Sequence, residues 1–284
     1  MDKRIIIMRM KKNIFIVVGL SLALAICLLC FLSPLFIKFD PELNALTEKL
    51  LPPQGFLMGL YGHILGTDQM GRDVLTRLLV GGRYSLLIAF AVVIVQAVIG
   101  TILGIISGYF GKWIDAIIMR ICDIFLAIPN LILAIAIMAV LGTNPVNLIA
   151  VLIFSGWVNY CKVTRNGVKV IKNQEFVHAS QVLGASSMHI MFRQIFPNVT
   201  TNLIIIGSQK VGQTILVEAE LSFLSLGIQP PTPSWGNMIS TGRTYLMVCP
   251  WLVLAPGIAL MLTVLAFNFL GDGLRDVLDP KQIS

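Results

Sequence analysis

Residues 169–198 read KVIKNQEFVHASQVLGASSMHIMFRQIFPN, a polar and helix-prone stretch between two long apolar segments. The only glycine of the stretch, Gly184, can adopt a left-handed or crowded backbone. Near its end, Pro197 disfavours helical dihedrals at the residue before it. The pattern predicts two short helices that meet near Gly184, the second limited by Pro197. In a chain built mostly of membrane helices, such an insert indicates a docking element outside the membrane.

The composition places the chain in a membrane. It has 284 residues, of which 56% are hydrophobic and 12% charged, whereas soluble domains carry roughly 25% charged residues. Several apolar runs are long enough to cross about 30 Å of hydrocarbon. The net charge of +7 comes from basic residues that flank these runs, a pattern of membrane topology. A single soluble core is excluded, and no nucleic-acid partner is expected.

Six membrane spans are predicted, at residues 14–37, 84–108, 115–140, 146–165, 201–226 and 251–271. An even number of spans places both termini on one side. Lysine and arginine are concentrated in the segments that share the side of the N-terminus. Because cytoplasmic segments carry the excess of these residues, we expect the termini and the 169–198 segment in the cytoplasm. The domain division is residues 1–82, an N-terminal membrane helix with an extracytoplasmic segment, and residues 83–284, the main transmembrane domain.

Two outer segments predict irregular structure because they are rich in proline. Residues 38–83 contain three prolines and several glycines, with a short helix predicted near 43–50. Residues 229–236 read QPPTPSWG, too many prolines for a helix to cross. The second segment is therefore expected to be a stiff loop.

Gly100, Gly104 and Gly108 are spaced four apart and lie on one face of the second span. Small residues at this spacing let another helix approach closely. Two interpretations are open, packing within one subunit and a dimerisation face.

Ionisable residues inside membrane spans are costly and suggest function by default. Arg120 and Asp123 share a face of the third span, which favours a structural ion pair over a substrate contact. Lys210 lies in the cytoplasmic half of the fifth span and either snorkels or faces a translocation pathway. Glu218, toward the outer end of that span, either contacts substrate or anchors the following loop.

No residues with the chemistry of a catalyst stand out. The chain lacks the G-x-x-x-x-G-K-[ST] phosphate loop. Its three histidines, His63, His178 and His189, make no metal-ligand pair at helical spacing. No nucleophile and base are paired within a span. We expect no enzyme activity, no bound cofactor and no metal site.

Four further segments, residues 65–90, 119–135, 221–239 and 265–280, resemble the dipeptide, oligopeptide and nickel branch of ABC-transporter permeases. The 169–198 segment resembles the cytoplasmic coupling loop of that family, whose pattern is Glu-Ala-Ala, three residues, Gly, nine residues, Ile-x-Leu-Pro. Here His178-Ala179-Ser180, Gly184 and Gln194-Ile195-Phe196-Pro197 keep the spacing. The residues depart from the pattern at four positions, His178, Ser180, Gln194 and Phe196.

The resemblance implies an all-α permease with six transmembrane helices in the bacterial cytoplasmic membrane, the second permease of a pair. It implies a homologous permease, two cytoplasmic ATPases that bind ATP and Mg, and an extracytoplasmic substrate-binding protein as partners. It also places the contact with the ATPase on the coupling loop, at Glu175, His178, Ala179, Ser180, Gly184, Ala185 and Pro197.

The substrate is the open point at this stage. The proline-rich segment 229–235 looks more like that of the peptide members than of the nickel members, so di- or oligopeptides are favoured. A nickel or metallophore importer is the alternative within the family. Two more distant alternatives are a secondary transporter, which would show paired repeats with broken helices and a charged midplane site, and an intramembrane enzyme.

Overall fold

The computed structural model describes residues 10, 12–35, 40–55 and 62–278. Within these ranges every regular element is helical apart from one isolated β-bridge, between Thr67 and Asp73. The predicted all-α class is confirmed. Part of the charge argument for orientation concerns residues 1–9, 11, 36–39 and 279–284, which lie outside the described residues. The orientation stays a prediction.

Ten α-helices are described. They are α1 (Ile14–Leu32), α2 (Val74–Phe110), α3 (Lys112–Ala127), α4 (Asn130–Leu141), α5 (Pro145–Lys172), α6 (Glu175–Val182), α7 (Ser187–His189), α8 (Phe196–Phe223), α9 (Trp235–Gly242) and α10 (Trp251–Leu278). A π-helical turn, Ile190–Ile195, joins α7 to α8 without a break. Short 3-10 turns lie at Ser33–Leu35, Leu46–Glu48 and Arg243–Tyr245. The turn at Leu46–Glu48 is all that forms of the helix predicted near 43–50.

Four of the described helices, α1, α2, α5 and α10, are long and apolar enough to cross a membrane, and the bent pair α3 and α4 makes a fifth span if counted as one. The predicted span 201–226 corresponds to α8, which is long enough but does not reach the same apolarity. Its sequence contains amides, a lysine and two glutamates. The six-span count therefore stays a prediction, and the polarity of α8 calls for an explanation.

The third span is broken, contrary to the continuous helix predicted over residues 115–140. Helices α3 and α4 meet at 86°. Ile128 is extended, with φ −106° and ψ 126°, and Pro129 precedes the first residue of α4. Proline disfavours helical dihedrals at the preceding residue and cannot donate a backbone hydrogen bond. The sequence contained this signal at Ile128-Pro129, but the apolar run around it concealed the break.

Helix α2 begins well before its predicted span. Asp73 caps it by accepting a hydrogen bond from the Thr76 backbone at 2.7 Å, and it ends at Gly111, where φ is +65°. Its 37 residues give a length of about 55 Å, more than the hydrocarbon thickness. The predicted domain boundary between residues 82 and 83 therefore falls inside a continuous helix.

The first turns of α2 are covered by residues of the 40–73 segment and of the proline-rich loop at residues 229–236. Arg77 is buried and donates hydrogen bonds to the carbonyl oxygens of Pro41 at 2.6 Å and Pro231 at 3.3 Å. Trp235, the first residue of α9, is also buried and donates to the carbonyl oxygen of Leu78 at 2.9 Å. These bonds attach residues 40–73 and the proline-rich loop to one helix. The loop leads directly into α9. The sequence analysis did not predict this helix, because the prolines before it indicated a loop.

Helices α2 and α5 pack in close contact through the glycine stripe. A Cβ atom at Gly100 would lie 2.5 Å from the carbonyl oxygen of Trp157, and one at Gly104 would lie 2.6 Å from that of Cys161. At Gly108 the distance to the Val168 Cβ would be 2.7 Å. Real Cβ atoms do not approach so closely. Of the two interpretations open from the sequence, packing within the subunit is confirmed.

We expect Gly104→Ala to destabilise the protein by about 1–3 kcal/mol, because the added methyl overpacks the α2–α5 contact. The matched control is Gly257→Ala in α10, where nothing lies within 4 Å of the added Cβ and alanine is the better helix former. Thermal unfolding of the purified full chain in detergent measures both. Equal midpoints for the two variants would contradict the contact.

Candidate functional site: the segment between α5 and α8

The base of the 169–198 segment is an apolar cluster at the ends of three long helices. Val177 of α6 is fully buried, together with Ile190, Met191 and Ile195 of the following turns. Residues of α2, α5 and α8 complete the cluster: Ile105, Tyr109, Val168 and Val199. The segment is therefore a packed part of the subunit, and a force applied to it reaches all three helices.

The predicted break at Gly184 is confirmed. Helix α6 ends at Val182, and the Gly184 and Ala185 amides donate to the carbonyl oxygens of Gln181 and Ser180, both at 3.0 Å. Gly184 has φ +82°, a conformation that costs other residues about 1–2 kcal/mol. A Cβ added there would meet nothing within 4 Å. The glycine is thus required by its backbone conformation and not by crowding within the subunit.

The expected role of Pro197 is wrong. It does not limit a second short helix, because the chain is helical without interruption from Ser187 through the π turn to Phe223. Pro197 directly follows the π turn, so its missing amide proton falls where the wider turn already replaces the regular i to i−4 pairing. The second half of the segment is therefore the beginning of α8 itself.

The tip of the segment is apolar and exposed. Val182 and Leu183 are each 87% exposed, and Met188 and Phe192 are also exposed. Of the residues assigned to this site from the sequence, five are exposed and two are half-buried: Glu175, His178, Ala179, Gly184 and Pro197 are exposed, Ser180 and Ala185 half-buried. The sequence analysis assigned the small residues to this site and did not identify Val182 and Leu183. In the sequence these two look like the apolar Val177, and only the folded structure shows that they are exposed while Val177 is buried.

An ionic cluster beside the segment holds α2, α3 and α5 together. Asp115 of α3 accepts hydrogen bonds from Arg165 at 2.7 Å, from Lys169 at 2.8 Å and from the Ser107 hydroxyl at 2.6 Å. Arg165 and Lys169 are one turn apart on α5, so a single carboxylate reaches both. Lys172 donates to the Tyr109 carbonyl oxygen at 2.5 Å. The sequence reading missed this cluster, although the i, i+4 pair of cations was visible.

The predicted ion pair between Arg120 and Asp123 does not form. Asp123 contacts Lys162 of α5 at 3.0 Å, and Arg120 is exposed. The Lys162 ammonium reaches the carboxylate from a neighbouring helix, which the spacing within α3 could not show.

Glu218 is a buried anchor in the structure. Its side chain is fully buried and accepts hydrogen bonds from Ser85 of α2 at 2.8 Å and Ser222 at 2.7 Å. The Ser222 hydroxyl in turn accepts the Ile228 amide at 3.1 Å. These bonds tie α8 to α2 and to the loop that follows, as the anchoring alternative predicts.

One face of α8 is polar and lines two cavities. Asn202 and Gln209 line a cavity of about 380 Å³ near the start of the helix, which Arg275 of α10 also borders. Lys210 and Gln213 line a second cavity of about 70 Å³ near its middle. The low apolarity of α8 comes from this face, whose polar residues border the two cavities.

These features define an integral membrane protein in which residues 169–198 form a packed segment with an exposed apolar tip, and in which one long helix borders two cavities with its polar face. Residues 100–284 match the family described as "binding-protein-dependent transport system inner membrane component". The chain belongs to this family of multi-pass permeases of the bacterial plasma membrane.

Named relatives match most of the chain. The dipeptide transport system permease protein DppC of Haemophilus influenzae is 40% identical over 95% of this chain and 92% of its own length. The oligopeptide transport system permease protein OppC of Bacillus subtilis is 38% identical over 96% and 88%. The glutathione transport system permease protein GsiD of Escherichia coli is 44% identical over 77% and 72%.

We expect Asp115→Asn to lower stability by about 1–3 kcal/mol, because two cations lose the carboxylate that they share. Asp123→Asn, the matched control, removes an exposed pair with Lys162 and should cost under about 1 kcal/mol. Thermal unfolding of the purified chain at low and high salt checks both values. A larger loss for Asp123→Asn would refute the assignment of the stabilising pair.

Proposed function

We propose that this chain is the peptide-translocating permease subunit of a binding-protein-dependent ABC importer. The peptide substrate is supported by the relatives, whose names assign them to dipeptide, oligopeptide and glutathione transport. The observation that carries the role as a coupled subunit is the exposed apolar tip, Val182 and Leu183, on a buried base.

The complete importer contains other subunits. A homologous permease forms the other half of the pathway, two cytoplasmic ATPases bind ATP and Mg and hydrolyse the nucleotide, and an extracytoplasmic protein delivers the peptide. The chain itself is a non-catalytic subunit without a cofactor or metal. The family description supports a binding-protein-dependent system, and the second permease and the stoichiometry are part of the proposal.

The tip is the docking surface for an ATPase. Exposed apolar side chains at the end of a packed element mark a protein interaction site. Val182 and Leu183 project beyond the cluster around Val177, and the left-handed Gly184 follows them. Glu175, His178 and Ala179 lie exposed on the same short helix. We assign these residues to the rim of the contact.

Movement of the tip reaches the pathway through α8. The helix continues from the docking segment into its polar face, so a rotation of the segment turns Gln209 and Lys210 with it. The ATPase would favour one of two subunit conformations by binding that conformation more tightly. Alternating access follows if the two conformations open the pathway to opposite sides.

The orientation belongs to the same proposal. The docking segment and both termini lie in the cytoplasm, and α8 acts as a sixth span despite its polarity. In a membrane, the polar residues of a span face protein or water and not lipid. The cavities beside the polar face of α8 support this arrangement.

Leu183→Asp should weaken binding of the ATPase about 10–100-fold. A leucine that becomes buried on binding contributes about 1.5–3 kcal/mol, and a carboxylate in its place adds a desolvation cost. Co-purification at graded salt measures the binding. The control is Met247→Asp, which places the same charge at a position 95% exposed in the segment before α10. Unchanged co-purification with Leu183→Asp would remove the tip from the interface.

The orientation predicts opposite labelling of two introduced cysteines in a background without native cysteines. Cysteine at Ser187, in α7, should react with a membrane-impermeant thiol reagent only after the cells are opened. Cysteine at Thr47, in the outer 3-10 turn, should react in intact cells once the reagent can cross any wall or outer membrane. The reverse pattern would overturn the orientation.

A further inference from the structure

We propose that the break between α3 and α4, with the facing parts of α2, α5 and α8, binds the terminal carboxylate of a peptide in transit. The site consists of Lys210, the start of α4 at Asn130, and Gln96. This inference rests on the proposed function, since it names the chemical group of the substrate that the pathway contacts. Three separate observations support it.

Lys210 is the first of these observations. It lies in the middle of α8, half-buried, and its ammonium donates to the Gln213 side-chain oxygen at 2.9 Å. Among residues 12–35, 40–55 and 62–278, no carboxylate lies within ion-pair distance of it. A cation within a membrane span whose hydrogen-bond partner is a neutral amide has a high free-energy cost unless an anion pairs with it.

Helix α4 begins at the same cavity. Asn130, its first residue, lines the cavity with Lys210. The preceding Pro129 has no polar side chain that could cap the helix, and within the described part of the chain no side-chain capping hydrogen bond forms there. The first amides of a helix lack partners within it and carry partial positive charge, which favours a carboxylate. The break in the third span thereby places a helix start where an unbroken span would have none.

Gln96 of α2 is the third observation, a buried side chain that has one unpaired acceptor. Its residue exposure is 3%, and its amide nitrogen donates to the Leu152 carbonyl oxygen at 2.7 Å. Its side-chain oxygen has no hydrogen-bond partner among the residues that the structure describes. Gly156 of α5 makes room for it, since a Cβ there would overlap the amide. A peptide presents an N–H donor next to its terminal carboxylate, which matches an unpaired acceptor beside a cation.

The cavity is large enough for the carboxylate of a peptide but too small for the whole peptide. About 70 Å³ holds a few water molecules or a carboxylate, and not a dipeptide. Ser155 and Thr214 add hydroxyls to the lining. Every peptide with a free C-terminus carries the carboxylate whatever its side chains, so a site of this size accepts many sequences. The polar face of α8 continues from it to the 380 Å³ cavity.

The test uses the purified complex of this chain with its co-purifying subunits and without the binding protein. At about 10 mM, dialanine should raise the unfolding midpoint by about 2–4 °C, and dialanine amide by less than half of that. Lys210→Met should abolish the dialanine shift, Lys210→Arg should keep most of it, and Lys162→Met, the control at an exposed lysine, should keep all of it. Equal shifts for both peptides in the unaltered complex, or no shift, would overturn the site.

Lys210→Met has a distinct outcome if the lysine instead pairs with a partner subunit or a lipid phosphate. The midpoint without peptide would fall while the dialanine shift stayed, and the proposal would be wrong. Should this variant fail to fold, Lys210→Gln and the comparison of the two peptides decide in its place. Uptake of labelled dialanine by cells distinguishes failure of the proposed function from failure of the proposed site. Absence of uptake would contradict the peptide-importer function. Normal uptake without a carboxylate-dependent shift in the midpoint would contradict only the site.

Discussion

The close contact between α2 and α5 is the constraint on which the rest of the structure depends. Three glycines let the two helices approach so closely that a Cβ atom at any of them would overlap the facing helix. One end of this contact places Gln96 against Leu152 and Gly156, and the other places Tyr109 beside Lys172. The cavity beside Gln96 and the apolar base of the 169–198 segment thus lie at two ends of one helix pair. Overpacking anywhere along it would displace both.

Helix α8 provides the second connection between these ends. It begins at the docking segment as a continuation of the π turn and passes both cavities before Glu218 anchors it to Ser85 of α2. The hydrogen bonds from Ser85 and Ser222 to the buried Glu218 side chain hold this end of α8 against α2. Helix α8 therefore links the 169–198 segment to the Glu218 anchor along the polar face that borders both cavities.

The charged residues show how far sequence reasoning reaches. Spacing within a helix correctly marked Asp123 and Glu218 as residues that need partners, because a charge in a span is costly wherever it lies. It gave Asp123 the wrong partner, since Lys162 belongs to another helix. It overlooked Asp115, whose cations also come from α5. Ion pairs between helices depend on which helices are neighbours, and one helix's periodicity contains no such information.

The amino-acid sequence by itself determined the helical membrane class, the family, the break at Gly184 and the close-packing stripe at Gly100, Gly104 and Gly108. Each depends on local chemistry: hydropathy, backbone freedom, or the absence of a side chain. Only the tertiary structure decided that the stripe meets α5, that Pro197 opens α8, and that Val182 and Leu183 are exposed while Val177 is buried. Burial is a property of the surroundings of a side chain, and those surroundings come from helices far away in the chain.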